Sequence, residues 1–138
     1  AKEIERDGQF IAYDDGTVLD KETGLMWAAK DSGKRVNWHD TNEYCENFRG
    51  GGYSDWRIPT VHELERLYDK KRPGYFPEEG LSKKVYLTGL IRLSWYRVWA
   101  LEKDEEGSGS AVFLFNVGNW HSALPDVVRP VLPVRGGN

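Results

Sequence analysis

The stretch GGYSDWRIPTVHELERLYD, residues 51–69, packs a glycine turn, an aromatic and charged cluster, a proline stop and an amphipathic run into one segment. Pro59 disfavours helix at Ile58, so the residues from Trp56 to Ile58 are expected to be extended. Thr60 then stands as an N-cap, and Glu63, three residues on, completes a T-x-x-E capping box. Val61, Leu64, Leu67 and Tyr68 give the following helix an apolar stripe. In an extended segment Asp55 and Arg57 share a face while Trp56 takes the other, which predicts a local ion pair over a buried indole. The rival reading is a ligand contact. Each position has a structural role, so the stretch reads as the corner of a scaffold and not as an active site.

On its N-terminal side, NWHDTNEYCENF carries Trp38, Thr41, Cys45 and Phe48 on one helical face, with Asn37 as N-cap and Asp40 in the first turn. Gly50, Gly51 and Gly52 are expected to end this helix as a left-handed cap. Earlier still, QFIAY, TVLD and LMWAA alternate with the turn segments DDGT and KETG, which predicts two or three short antiparallel strands. Beyond Asp69 the periodicity fades. KKRPGYFPEEGLSKK, with Pro73, Pro77, Gly74 and Gly80, reads as a long loop, a class of segment that often carries function. RVWALE and AVFLF read as strands separated by a flexible acidic loop, KDEEGSGS. NVGN is a turn, and NWHSALPD leads to a last strand in VVRPVLPVR, placed at an edge or bulge by Pro130 and Pro133.

A chain of 138 residues without internal repeats suits one domain spanning residues 1–138, large enough for a core without metal or disulfide staples. The net charge of −3 argues against nucleic acid as a partner. Between Arg66 and Arg97, however, eight basic residues face three acids, so a local basic patch could still meet an anion. A solvated basic loop explains the same residues. Cys45 is the single cysteine, which rules out an internal disulfide and a zinc site built on cysteines. No stretch is long and apolar enough to span a bilayer.

Sequence chemistry gives catalysis no positive support. His39, His62 and His121 fall in no ligand spacing, Ser94 and Ser122 lack a nucleophile elbow, and no glycine loop that cradles phosphate leads into a helix. No catalytic residue, metal ligand or cofactor is therefore expected. Recognition has a better case in SWYRVW and NWHS, because flat rings stack on apolar ligand faces while polar tips fix orientation.

DDGTVLDKETGLMW, NWHDTNEYCENF, GGYSDWRIPTVHEL and the closing VLPVRGG, taken in order from about Gln9 to Gly137, resemble the successive signatures of the Lcl C-terminal domain family. WRIPTVHELE is also similar to a stretch of formylglycine-generating-enzyme-like domains. The resemblance implies an α+β, C-type lectin-like fold: two helices on a small twisted antiparallel sheet, adjacent N- and C-terminal strands, and long loops. Three departures qualify it. Many family members pair a cysteine in the first helix with one in the closing strand, but Pro133 stands where the partner of Cys45 would be. The paired catalytic cysteines of formylglycine-generating enzymes are missing, as are the calcium triplets of sugar-binding C-type lectins.

The family's best-known member resembles a glycosaminoglycan-binding adhesin, so the resemblance implies an exported, periplasmic or cell-surface binding module without enzymatic activity. A glycan or a protein surface is the expected partner. The expected contact residues are Trp95, Tyr96, Arg97, Asn119, Trp120 and His121, with Lys70, Lys71 and Arg72 from the basic loop. Two rivals stand beside this reading. An enzyme on the same scaffold would need His121 to converge with carboxylates between Glu102 and Glu106, and an assembly module would form oligomers that display another domain.

Overall fold

The computed structural model describes residues 1–79, 82–104 and 107–137. It is a mixed α+β architecture with two helices and two antiparallel sheets. Strands β1 (Glu3–Asp7), β2 (Phe10–Tyr13), β3 (Thr17–Asp20) and β4 (Met26–Ala28) form a meander, and the closing strand β8 (Val134–Arg135) adds beside β4. Short polar side chains shape the turns. Asp15 accepts from the Thr17 amide (3.2 Å) and hydroxyl (2.6 Å), and Asp20 accepts from the Glu22 amide (2.9 Å). The first and last strands share this sheet but occupy opposite edges, which corrects the expectation that they are adjacent.

The second sheet has the order β5 (Arg97–Asp104), β6 (Gly107–Leu114), β7 (Asn119–Ser122). Its pairing runs from Arg97↔Leu114 to Asp104↔Gly107, so most of the expected acidic loop is the end of a hairpin. Cross-strand register overrides a glycine- and serine-rich composition that by itself reads as loop. Glu105 and Glu106 lie outside the described residues. Asn119–Ser122, expected as a connection, is an edge strand. Gly118 makes the turn before it with φ +81°, and the Tyr68 ring sits where any Cβ at that position would project.

Helix α1 (Trp38–Asn47) begins as expected, with Asn37 Oδ1 accepting from the Asp40 amide at 2.9 Å. Thr41 and Cys45 are buried, and Trp38 packs edge-on against Trp99 with centroids 5.2 Å apart. The three glycines do not cap it. The helix ends at an extended Phe48, and Gly50–Gly52 form a separate 3-10 turn in which Gly51 takes φ 64°. That turn points the Gly50 carbonyl at the indole of Trp56, which donates to it at 3.1 Å, while Phe48 meets the same indole edge-on at 4.9 Å. The glycines thus fold the chain back to seat a core tryptophan.

Helix α2 (Val61–Leu67) carries the full capping box. The Glu63 amide donates to Thr60 Oγ1 (3.2 Å), and the Thr60 amide donates to Glu63 Oε1 (2.9 Å). Its buried face is Val61, Leu64 and Leu67, as the stripe predicts, while Tyr68, the fourth member expected, is the extended and half-buried C-cap. Just before it the chain is stitched to both sheets. Arg57 exchanges two backbone hydrogen bonds with Val134 of β8 (2.8 and 3.0 Å), and Leu101 of β5 donates to the Pro59 carbonyl (2.8 Å).

The charges of this corner pair differently from expectation. Arg57 forks onto Glu63 (2.8 and 2.6 Å) and donates to the Gly136 carbonyl (2.7 Å), whereas Asp55 binds Arg135 (2.6 and 3.2 Å). Alternation fails because only Arg57 is paired here. Its antiparallel bridge to Val134 brings the neighbouring Arg135 alongside Asp55. Trp56 is buried as expected.

Among the described residues from Asp69 to Tyr96 there is no regular strand or helix, in line with a long loop, yet Val85, Leu87, Ile91 and Leu93 are core residues. Tyr75 organises this segment, its hydroxyl donating to the Ile91 carbonyl (2.6 Å) and accepting from the Leu93 amide (2.8 Å). These residues join Trp27, Leu64, Phe113 and Leu132 in the main core, while Cys45, Ile58, Trp99, Val112 and Val131 form a second cluster under α1. Fully burying one such large side chain stabilises by about 1.5–3 kcal/mol.

Burial pushes the Glu63 carboxyl up, but its bonds to Arg57 and Thr60 outweigh that and hold it below the usual range. A carboxyl depressed in the folded state stabilises above its unfolded value, about pH 4.3, and that contribution disappears as pH falls through the folded value. Glu63→Gln should therefore cost about 2 kcal/mol in urea denaturation at pH 7 and flatten the loss of stability on acidification below pH 4.3. An unchanged midpoint at pH 7 would refute this account of the corner. Cys45 is 1% exposed and burial pushes its thiol up to about 12. It should stay unlabelled by a disulfide reagent at pH 8 until denaturant unfolds the chain, and stoichiometric labelling of native protein would contradict the packing.

Candidate ligand-binding surfaces

Trp95, Tyr96 and Arg97 lead into and begin β5, and all three are half-buried. Trp95 meets Tyr96 edge-on at 5.2 Å and is surrounded by three guanidinium groups: Arg35 at 3.8 Å, Arg129 at 5.3 Å and Arg97 at 5.4 Å from its ring centre. Arg35 and Arg129 were not expected at this site. They come from the segment before α1 and the approach to β8, and the bridge Val36↔Arg129 draws those segments together. Sequence offers no local signal for this, because the three arginines lie far apart along the chain.

Beside Trp95 in the chain, Ser94 is held by buried Asp31, which accepts from the Ser94 amide (2.8 Å) and hydroxyl (2.9 Å) and from the Gly33 amide (2.9 Å) and so fixes the segment entering the cluster. Burial pushes the Asp31 carboxyl up despite those bonds. Burial and the repulsion of Arg97 and Arg35 push Arg129 down. One carboxylate reaches the cluster from its rim, where Glu79 accepts from Arg35 at 2.9 Å.

Asn119, Trp120 and His121 stand exposed on β7. Asn119 pairs with Leu114, itself paired with Arg97, so it lies two strands across the sheet from Arg97. Trp120 and His121 alternate faces on the strand. His121 Nδ1 lies 2.9 Å from the Ser122 carbonyl, while Glu102 accepts from the Ser122 hydroxyl at 3.0 Å. Of the groups an enzyme would need, Glu102 thus engages Ser122 and Glu105 and Glu106 lie outside the described residues.

In the basic loop, Lys70 and Lys71 are exposed. Arg72 is half-buried. It pairs with Asp7 and with Asp69 (3.6 Å) and lies over Phe10 at 5.3 Å, tying the loop to β1 and β2. Thr88 donates to the same Asp7 oxygen at 2.6 Å, so this arginine serves a frame contact.

A depression of about 980 Å³ is walled by Trp38, Glu43, Arg57, Ile58, Glu63 and Leu101. A second, about 360 Å³, is lined by Val61, His62, Glu65, Glu102 and Trp120. The two meet over Thr60, Leu101 and Lys103 to make one open groove from α1 across the start of α2 to β7. The corner stretch, read as scaffold from the sequence, also lines this groove. A capped helix start projects its first turn outward, so Arg57, Thr60 and Glu63 hold the frame and also line the groove, while the exposed His62 lines it without a frame contact. Arg57 and Glu63 neutralise each other, leaving Glu43, Glu46, Glu65 and Glu102 against Lys103, so the groove has an acidic rim. Among the described residues no group of three His, Cys, Asp or Glu side chains is arranged to hold a metal ion. No described helix is long and apolar enough to cross a membrane.

No curated protein matches the sequence. The family model of the Lcl C-terminal domain matches residues 16–135, from the turn before β3 through β8, and leaves β1 and β2 ahead of the matched region. The match covers most of the fold, both helices and the whole second sheet, and the chain belongs to the Lcl C-terminal domain family.

Proposed function

We propose that this domain is a noncatalytic binding module of an exported, surface-displayed protein, and that it holds a glycan or an extended protein segment in the groove between Trp38 and Trp120. The observation that carries this reading is the groove itself: an open channel whose lining includes two indoles, Trp38 and Trp120, among apolar and polar side chains. Indole faces offer stacking area to sugar rings or side chains, and polar groups between them set orientation. The paired groups on the floor support binding over catalysis. Arg57 and Glu63 commit their hydrogen bonds to each other, to Thr60 and to the Gly136 carbonyl, which holds them in the ionised pair and away from acid–base work near neutral pH. Family membership supports the surface assignment through the adhesin-like resemblance. The acidic rim favours a neutral glycan or a protein segment over a polyanion at this groove.

Glycan and peptide arrays probed with the purified domain, with and without calcium, test the proposal. Trp120 is 37% exposed, so its truncation spares the core, and Trp120→Ala should weaken binding to any array hit about tenfold, the loss of roughly 1.4 kcal/mol of stacking. Lys70→Ala with Lys71→Ala should leave that binding unchanged. Silence on both arrays, or hits indifferent to Trp120→Ala, would overturn the groove as the binding site.

A further inference from the structure

Arg97 and Arg129 each bury an Nε–H that has no hydrogen-bond partner, and both guanidinium groups lean on the same indole, Trp95. Among the described residues neither arginine has a carboxylate within ion-pair distance, and the remaining member of the cluster, Arg35, has only Glu79. Like charges gathered on one ring repel. The cation–π attraction that offsets this is modest at a partly solvated site, about 0.5–1 kcal/mol per contact, and an unpartnered buried donor in a folded protein calls for a physical explanation. The same two arginines are rooted in fixed backbone, Arg97 in the β5–β6 ladder and Arg129 in its bridge to Val36. The cluster is thus a rigid cationic platform.

We propose that Trp95 with Arg35, Arg97 and Arg129 forms a carboxylate-binding site. Glu79 supplies the internal precedent: at the rim of the cluster a carboxylate oxygen already accepts from a guanidinium stacked on Trp95, at 2.9 Å. A guanidinium offers Nε–H and Nη–H as a planar side-on fork whose spacing matches the two oxygens of a carboxylate. On Arg97 and Arg129 the unpartnered Nε–H is shut off from solvent, so a carboxylate meets these two through their Nη–H groups, and Arg129 already commits its Nη1 to the Val128 carbonyl at 2.7 Å. Burial and its cationic neighbours depress Arg129, and a bound anion would relieve the repulsive part of that shift. The site shares no lining residue with the groove proposed above, so it goes beyond that reading and stands or falls separately.

The probes are sodium acetate and sodium succinate, added to the intact domain at constant ionic strength held with sodium chloride. The Nε–H signals of Arg97 and Arg129 and the indole N–H of Trp95 are followed by NMR. Saturable shifts confined to this cluster are expected. Arg97→Gln and Arg129→Gln should each weaken succinate binding at least about fivefold, and Arg97→Lys should do nearly the same, because lysine keeps the charge but loses the fork. Glu79→Gln should strengthen it by removing the internal competitor, and Trp120→Ala should leave it unaltered. Drifts that never saturate, or that chloride alone reproduces, would overturn the site. Saturation by sulfate or phosphate but not by carboxylates would overturn the ligand class, and full binding by Arg97→Lys would overturn the fork.

Discussion

Glu63 performs two tasks with one carboxylate. One oxygen closes the capping box on the Thr60 amide and also meets Arg57, while the other completes the Arg57 fork. Through Arg57 the start of α2 is fixed to the Gly136 carbonyl, and through the Arg57 and Pro59 backbones it is fixed to β8 and β5. The two sheets belong to different parts of the chain and share no ladder. This corner is one place where a single short segment holds hydrogen bonds to both. A charge-assisted fork is suited to such a joint, because its geometry is directional where apolar packing is not.

Local features of this joint were legible in the sequence. The proline stop, both N-caps, the capping box and the apolar stripe of α2 depend on residues within a few positions of one another, and each forms as read. The N-terminal hairpins were legible for the same reason, since turn chemistry at Asp15 and Asp20 acts over two residues. What escaped the sequence was partnership at a distance. Alternation places Asp55 and Arg57 on one face, yet says nothing of Arg135 arriving eighty positions later to take Asp55. The KDEEGSGS stretch reads as loop by composition, and only the register of Lys103 and Asp104 against Gly107 and Ser108 extends the two strands into it. The glycine triplet signals a turn correctly, but its purpose, seating Trp56, depends on Trp56 being buried elsewhere in the core.

The candidate surfaces divide along the same line. Trp95, Arg97 and Trp120 could be singled out because aromatic rings beside donors are recognisable in a string of letters. Arg35 and Arg129 could not, since their contact with Trp95 follows from the bridge between Val36 and Arg129. Arg72, a reasonable surface cation by sequence, is drawn into Asp7 and Phe10 by the way the loop closes on the first hairpin. The domain consequently presents two surfaces of opposite electrostatic character, an acidic-rimmed groove and an arginine-ringed indole, although its overall charge is close to balanced. Charge totals describe neither.

Strand β1 forms one border of the five-stranded sheet, and from Glu3 to Arg6 its side chains are all exposed. Three of those four carry charge, and Arg6 clasps Glu3 at 2.6 Å on the outer face. A bare sheet border invites a stranger's backbone to dock and propagate the ladder, and a charged fringe makes that intrusion costly. Crowded copies of the domain are thereby discouraged from zippering into fibrils along this side.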